Sequence, residues 1–358
     1  MGIAIRPSRA LFAAVMIGLG IIGLIYGNSA LIWEPIPKTL PDRPVIIYLC
    51  AVIELGTGIG LLLRPSVILA CRVLFPFLLL WMALLKLPGL FLAPHVMVSW
   101  EAFGEIAATS AGGWCLFAAH AGAWEQWHLK FAIGESGIRA ARLLLVAALP
   151  MIGLSHFVYH DLTASLVPKW MRFPLGWTYL TGAGSLAAAA GMLFGVYPRL
   201  AANLEAAMLW IITLLVWVPR VASMPRDQGD WTEFFISSAI ATGTWVVADT
   251  YRSVPWLASG KAAHAVSPTE GRFRAPAIEV SAPLGRPHTL DLELVRLTAS
   301  SLPRKICPTR LSGEFRACCP TIVGGAVMRE RFDAAGAGRH CAPAALIRRR
   351  RPAPQLHR

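Results

Sequence analysis

Several ionisable side chains lie inside long apolar stretches of this sequence, where a buried charge is costly and therefore marks a functional candidate. Glu54 follows Pro44 by ten residues, or about 15 Å of helix, which places it near the middle of a bilayer. Glu101 and Glu105 are four residues apart and share a helix face, with Glu105 the deeper of the two. The alternative for Glu54 is a protonated carboxyl group that bonds a neighbouring backbone or hydroxyl group, and Glu101 is expected to be solvated at the membrane interface.

One histidine, His156, lies about four helical turns into the apolar stretch 142–160, which ends at His160. Imidazole titrates near neutral pH, which suits a residue that relays protons or binds a polar headgroup; packing against a hydrogen-bond partner is the alternative. A proton-handling His156 needs a carboxyl or hydroxyl partner, for which Glu54 and Glu105 are the candidates. His160 lies four residues on, but no third ligand is placed by the sequence, so no metal site is predicted.

Arg72 and Glu205 each lie seven residues beyond a proline, Pro65 or Pro198, at the start of an apolar stretch. Both side chains therefore lie about 10 Å from the same membrane face. We predict that they contact each other, because pairing lowers the cost of burying opposite charges. The alternatives are that Arg72 extends to the lipid headgroups or that the two helices are not neighbours.

The elements that carry these residues are predicted to be membrane-spanning helices. Of 358 residues, 56% are hydrophobic and 15% are charged, and the mean hydropathy is +0.56. Soluble chains average about 25% charged residues. Eight apolar stretches approach or reach the roughly 20 residues that cross a bilayer as a helix: 9–27, 45–63, 66–86, 100–120, 142–160, 175–196, 199–219 and 231–250.

The eight stretches form two sets of four, related by a shift of 131 residues. An even number of spans makes the two copies parallel, so the fold class is an all-α polytopic membrane protein with two four-helix repeats. We assign residues 1–122 to the first repeat, 123–141 to a cytoplasmic linker and 142–254 to the second repeat. Structural roles are assigned to Pro168, Trp100 and Trp231, because the shift matches Pro37-Lys38 with Pro168-Lys169, Pro88 with Pro219, Trp100 with Trp231 and Trp114 with Trp245.

Residues 255–358 differ from the rest in charge. They hold 17 basic and 7 acidic side chains, against 16 and 13 in residues 1–254. They contain no spanning stretch and no sustained helical or strand period, so a basic, disordered tail is predicted, with an out-of-frame reading as the alternative. No nucleic-acid-binding motif accompanies the charge, and no nucleic-acid partner is predicted. The basic tail favours both termini in the cytoplasm, in a multi-pass protein of the bacterial cytoplasmic membrane.

Gly153-Leu-Ser-His156-Phe157, the Val-Pro168-Lys-Trp170 loop and Gly191 resemble the DoxX/DoxD-like family of small four-helix membrane proteins. The resemblance covers about residues 1–250 as two tandem copies, although Ile25-Tyr26 replaces the Ser-His pair in the first. Some relatives are subunits of a thiosulfate:quinone oxidoreductase, and others associate with redox-stress partners. The resemblance therefore implies a quinone and a soluble or membrane redox partner subunit.

Two classes of function follow. The first is a quinone-linked redox subunit, with the headgroup near His156 and the carboxyl groups on the same side of the membrane. The sequence contains no CxxC pair and no paired-His haem pattern, so this role requires a bound quinone or a partner subunit. The second is a non-enzymatic protein, either a small-solute permease or a scaffold that docks a partner.

Overall fold

The computed structural model describes residues 5–27, 33, 35–37 and 39–260, and most of this part of the chain is helical. Lys38 and all of the predicted tail beyond residue 260 lie outside the described residues. Two π-helical turns, Met82–Lys86 and Thr213–Trp217, join α3 to α4 and α10 to α11. The helices are α1 (Pro7–Tyr26), α2 (Arg43–Leu62), α3 (Val67–Trp81), α4 (Leu87–Leu92), α5 (Met97–His120), α6 (Ala123–His128), α7 (Gly134–Val158), α8 (His160–Leu166), α9 (Pro174–Leu193), α10 (Pro198–Ile212), α11 (Val218–Ser223) and α12 (Gln228–Asp249).

Five helical segments are long and apolar enough to cross a membrane: α1, α2, α3 with α4, α7, and α10 with α11. Each covers one predicted stretch, although α7 begins at Gly134 and the third segment continues to Leu92. The predicted stretches 100–120, 175–196 and 231–250 form α5, α9 and α12, which have 24, 20 and 22 residues. The prediction of an all-α fold is confirmed for the described residues, and the five apolar segments are compatible with a helical membrane protein.

Helices α5 and α12 cross at the centre of the bundle through two glycines. A Cβ atom added at Gly112 would lie 2.5 Å from the Cα of Gly243, and one added at Gly243 would lie 2.8 Å from the Ala108 carbonyl oxygen. Only small residues let two helices approach this closely. Both helices bury mainly Ala, Gly, Ser and Thr against other helices, and neither is among the five segments of the described chain that are apolar enough to cross a membrane.

The remaining long helices surround this crossing in a regular order. In the first half of the chain, α2 packs between α1 and α3, and α3 packs on α5. In the second half, α9 packs between α7 and α10, and α10 packs on α12. Helix α1 also packs on α12, and α7 packs on α5. The first long helix of each half therefore contacts the last long helix of the other.

Matching elements of the two halves lie 131 residues apart. The pairs α2 and α9, α3 and α10, α4 and α11, and the two π-helical turns obey this shift at both bounds. Asp42 and Phe173, which precede α2 and α9, both have positive φ angles, of 55° and 60°. The Trp100 and Trp231 indoles donate to proline carbonyl groups six residues earlier, at 2.9 and 3.0 Å. The crossing glycines obey the same shift.

The predicted linker 123–141 is partly helical. It contains α6 and the first turns of α7. The Gly122 N–H donates to Glu125 Oε2 at 2.8 Å, which satisfies a backbone donor at the start of α6. The linker prediction is therefore corrected to a short helix followed by the beginning of the next long one.

The first residues of the predicted tail, 255–260, are bound to the rest of the bundle. The Tyr197 N–H donates to the Ala258 carbonyl at 3.0 Å, and the Gly260 N–H donates to the loop between α9 and α10 at 3.1 Å. The Arg199 guanidinium lies 4.1 Å from the Trp256 ring centroid. The packed part of the chain thus extends at least six residues beyond the predicted boundary.

Candidate functional site

The two ends of the bundle carry different polar groups. We call the end at which α1, α3, α7 and α10 begin the N-terminal end, and the other the opposite end. At the opposite end, four ionisable side chains form what we call the carboxylate cluster. Its members are Lys86, Glu101, Glu105 and Glu233.

The carboxylate cluster joins the two halves of the chain. Lys86 ends the first π-helical turn, Glu101 and Glu105 lie in the first turns of α5, and Glu233 lies near the start of α12. Lys86 is close enough to interact electrostatically with Glu105 and Glu233, and Glu105 interacts with Glu101 and Glu233. All four side chains are half-buried.

Two hydrogen-bonded groups border the cluster. Ser155 Oγ of α7 donates to Glu101 Oε1 at 2.7 Å, which fixes the orientation of that carboxyl group. Arg220 Nε of α11 donates to Asp230 Oδ1 at 2.9 Å and forms an ion pair. Arg220 also lies close enough to Glu233 to attract it. Four helices, α5, α7, α11 and α12, and one π-helical turn therefore position the site.

The composition of the cluster determines its chemistry. Three carboxyl groups lie near one ammonium group, and like charges held together in a poorly solvated place favour proton sharing or cation binding. The ammonium group and any protonated carboxyl group are hydrogen-bond donors, and ionised carboxylates are acceptors. The cluster therefore has the groups that bind a polar ligand and exchange protons with it.

His156 lies beside Ser155 but faces a different helix. Its Nδ1 lies 2.8 Å from Thr181 Oγ1 of α9. The Thr181 hydroxyl lies 2.9 Å from its own helix's Thr178 carbonyl and donates there, so it accepts from His156 Nδ1 and leaves Nε2 as an acceptor. The close approach of Gly153 and Gly182 brings α7 and α9 together here. The partner of His156 is thus a hydroxyl group, not the predicted carboxyl groups of Glu54 or Glu105.

Glu54 has a separate partner. It is 2% exposed and accepts a hydrogen bond from Trp33 Nε1 at 2.6 Å. The position 131 residues later is Ser185, which donates to Glu205 Oε1 at 2.8 Å. Each half of the bundle therefore buries one hydrogen-bonded glutamate, Glu54 on α2 and Glu205 on α10.

The predicted contact between Arg72 and Glu205 is wrong. Arg72 donates from Nε and Nη2 to the carboxylate of Glu125, with an Nη2–Oε2 distance of 3.0 Å. Helix α3 packs on α2 and α5, whereas α10 packs on α9 and α12, so different helices surround the two side chains. The hydrogen bond from Arg72, together with the Gly122 N–H, holds the pKa of Glu125 below its ordinary value.

Sequence reasoning missed three of the groups just described. Lys86 ends the predicted stretch 66–86, and Glu233 lies at the start of 231–250. Each is a charged residue in an apolar stretch, and this pattern could have identified both as site candidates. Glu125 falls in the predicted linker. Its signal was the spacing from Gly122, which suits a side chain that accepts from the N–H at a helix start.

The described part of the chain contains no group of three or more His, Cys, Asp or Glu side chains that could hold a metal ion. His160 Nε2 lies 3.5 Å from Asp161 Oδ1, its neighbour in sequence.

One family model, described as a domain of unknown function (DUF8561), matches residues 145–232. This segment runs from α7 into α12 and contains His156, Thr181 and Glu205. It excludes every member of the carboxylate cluster. No curated protein and no solved structure matches the chain.

Proposed function

We propose that the chain forms an eight-helix transmembrane bundle of two parallel four-helix repeats, with both termini on the cytoplasmic side. The shared 131-residue shift of helix bounds, π-helical turns and crossing glycines supports the duplication. Helices α5, α9 and α12 complete the eight, because each packs along apolar helices that are long enough to span. The two repeats are related by an axis along the membrane normal.

We further propose that the carboxylate cluster binds the polar headgroup of a quinone, in a membrane redox complex of the kind that the DoxX/DoxD-like resemblance implies. The observation that carries this proposal is the electrostatic interaction of Lys86 with Glu105 and Glu233, since it joins ionisable groups from both halves of the chain in one cluster. The chain is then a headgroup-binding and proton-handling subunit that works with a redox partner.

The residues fit a quinone headgroup chemically. Its two carbonyl oxygens require hydrogen-bond donors, which Lys86 and the protonated form of a cluster carboxyl group provide. When bound, a quinone supplies a two-electron, two-proton couple, and the partner subunit supplies the electrons. Glu105 and Glu233 hold and release protons at their carboxyl oxygens, while Ser155 keeps Glu101 in place. His156 follows Ser155 in α7, but its side chain bonds Thr181 of α9.

A second candidate function is the permeation of a small cation. The carboxylate cluster favours it, because the cluster holds three carboxyl groups and one ammonium group, and carboxylates attract cations. A permease of this kind needs no quinone and no redox partner. Measurement of bound quinone therefore separates the two candidates.

Quinone content of the purified protein is expected to depend on the cluster. We expect wild-type protein to retain extractable quinone. Glu105→Gln and Glu233→Gln should each lower the content about tenfold, equivalent to about 1.4 kcal/mol of binding energy. His156→Gln should lower it by a smaller factor, because His156 is bonded to Thr181. Melting temperatures measured on the same samples show whether each variant still folds.

The matched control is Glu135→Gln, which removes an exposed carboxylate from a helix-surface ion pair with Arg139. It should leave the quinone content unchanged. Unchanged quinone content in both cluster variants would contradict the redox proposal. Absence of quinone from folded wild-type protein, together with uptake of a labelled small cation that Glu105→Gln abolishes, would support the permease instead.

A further inference from the structure

A groove of about 640 Å³ lies at the N-terminal end of the bundle, between α3, α5 and the segment that contains α6. Its volume falls within the roughly 300–1,000 Å³ that is typical of small-molecule sites. The Phe75 ring centroid lies 5.0 Å from that of Phe117 and 5.2 Å from that of Trp114, so these rings form a continuous apolar wall. Arg72 and Glu125 also line the groove.

The Arg72 guanidinium is held at this groove by a buried partner. The Glu125 side chain is 1% exposed, whereas that of Arg72 is 43% exposed. The pair uses Nε and Nη2 of the guanidinium, so the two N–H groups of Nη1 are not used by it. A fixed guanidinium with unused donors suits a phosphate group, which it can bind through more than one N–H.

One backbone carbonyl of α3 lacks its ordinary helical donor. The carbonyl of Arg72 would receive the N–H of the residue four positions later in an ordinary helix, but that residue is Pro76, which has no N–H. Pro76 itself lines the groove. A ligand that carries a hydroxyl group can therefore donate to this carbonyl without displacing a helical hydrogen bond.

The flank of the groove has the composition of a membrane interface. Three aromatic side chains of the α6 segment are largely exposed: Trp124 at 57%, Trp127 at 78% and Phe131 at 69%. Tryptophan is enriched at the level of lipid headgroups. Arg72 lies only five residues into α3, or about 8 Å from its start, which is a depth that a headgroup reaches.

We propose that this groove binds a phospholipid with hydroxyl groups in its headgroup. Its phosphate binds the Nη1 donors of Arg72, and one acyl chain lies against Phe75, Trp114 and Phe117. The basic group thus matches the phosphate, the interfacial aromatic residues match the headgroup region, and the apolar wall matches the acyl chain. The site is separate from the carboxylate cluster and does not depend on the function proposed for it.

The test compares the affinity of charge variants of the full chain in detergent for phosphatidylglycerol. Binding is measured by the change in melting temperature and by native mass spectrometry. Wild-type protein should bind one phosphatidylglycerol saturably and melt at a higher temperature. Arg72→Gln should weaken binding about tenfold, because it removes a charge-assisted hydrogen bond. Glu125→Gln should instead tighten binding, because it removes the carboxylate that competes for the guanidinium.

Two controls address folding and general charge. The double variant Arg72→Gln with Glu125→Gln leaves no unpaired charge, so it should fold and yet lose the lipid-induced stabilisation. Arg139→Gln removes one positive charge from an exposed pair in α7, and it should bind phosphatidylglycerol like wild type.

Several results would overturn the lipid site. Equal weakening by Arg72→Gln and Glu125→Gln would show that the pair serves the fold alone. Weakening by Arg139→Gln of the same size would show diffuse attraction to a basic surface. Retained stabilisation in the double variant would place the lipid elsewhere.

Two other ligands test which parts of the lipid are bound. Equal stabilisation by inorganic phosphate would show that no acyl chain is bound. Equal stabilisation by phosphatidylcholine would show that the headgroup hydroxyl groups have no role.

Discussion

Replacing Gly112 or Gly243 with leucine is expected to disrupt the bundle more than any other single change considered for this protein. The added Cβ at Gly112 would lie 2.5 Å from a Cα atom, and that at Gly243 would lie 2.8 Å from a carbonyl oxygen. These neighbours are backbone atoms of the facing helix, which cannot rotate away as a side chain can. Overpacking a core costs about 1–3 kcal/mol, and here we expect about 3 kcal/mol or more.

The matched control for this prediction is Gly56→Leu in α2. An added Cβ at Gly56 would meet nothing within 4 Å, so this variant should melt close to wild type. Thermal melting and gel filtration in detergent measure the effect. If Gly112→Leu and Gly243→Leu melt like Gly56→Leu, the two central helices do not cross at these glycines.

Breaking the Arg72–Glu125 pair is expected to have the second-largest effect, and an unequal one. Arg72→Leu leaves the Glu125 carboxylate, whose side chain is 1% exposed, without its partner, at a cost of about 2–3 kcal/mol near neutral pH. Glu125→Leu should cost about 1 kcal/mol, because the guanidinium of Arg72 is 43% exposed and regains water. The double replacement should recover most of the larger loss.

A double-mutant cycle on melting free energies tests this pair. The cycle should give a coupling energy of at least about 1 kcal/mol between the two positions. Losses that simply add would mean that the pair does not stabilise the bundle. Glu205→Leu combined with Arg72→Leu is the reference pair, and its losses should add, since Glu205 bonds Ser185 instead.

Helix positions could be predicted because each long apolar run forms one long helix. The shift between Trp100 and Trp231 was also visible, since tryptophan is rare enough for a matched pair to carry information. Hydropathy gave a weaker signal for α5 and α12. These helices face other helices, so small and hydroxyl-bearing residues suffice where lipid-facing helices need large apolar ones.

Lateral neighbours could not be predicted in the same way. The proline spacing gives Arg72 and Glu205 a similar depth, but depth along a helix does not say which helices adjoin. The partner of Arg72 lies 53 residues away in a segment assigned to a linker. His156 bonds Thr181 because Gly153 and Gly182 let their helices meet, and that contact depends on packing between distant parts of the chain.

For the carboxylate cluster, the depth of each residue could be predicted from the sequence, but its neighbours could not. Counting spans from the N-terminus puts Lys86, Glu105 and Glu233 at the same end of the bundle. The three side chains come together in one cluster because α5 packs between α3 and α12. This packing cannot be predicted from the sequence. A charge at the end of an apolar stretch was therefore a sign of a site, but its partners had to come from the structure.

The most direct measurement of the proposed function is photolabelling with an azido-quinone in nanodiscs, followed by digestion and mass spectrometry. The account predicts labelled peptides that contain Lys86, Glu101 to Glu105, and Glu233, and predicts that excess unlabelled quinone abolishes the labelling. Peptides that contain Arg72 or Glu125 should remain unlabelled, because they lie at the N-terminal end. Labelling that spreads over the exposed faces of α2 and α9, or that resists competition, would contradict a quinone site at the carboxylate cluster.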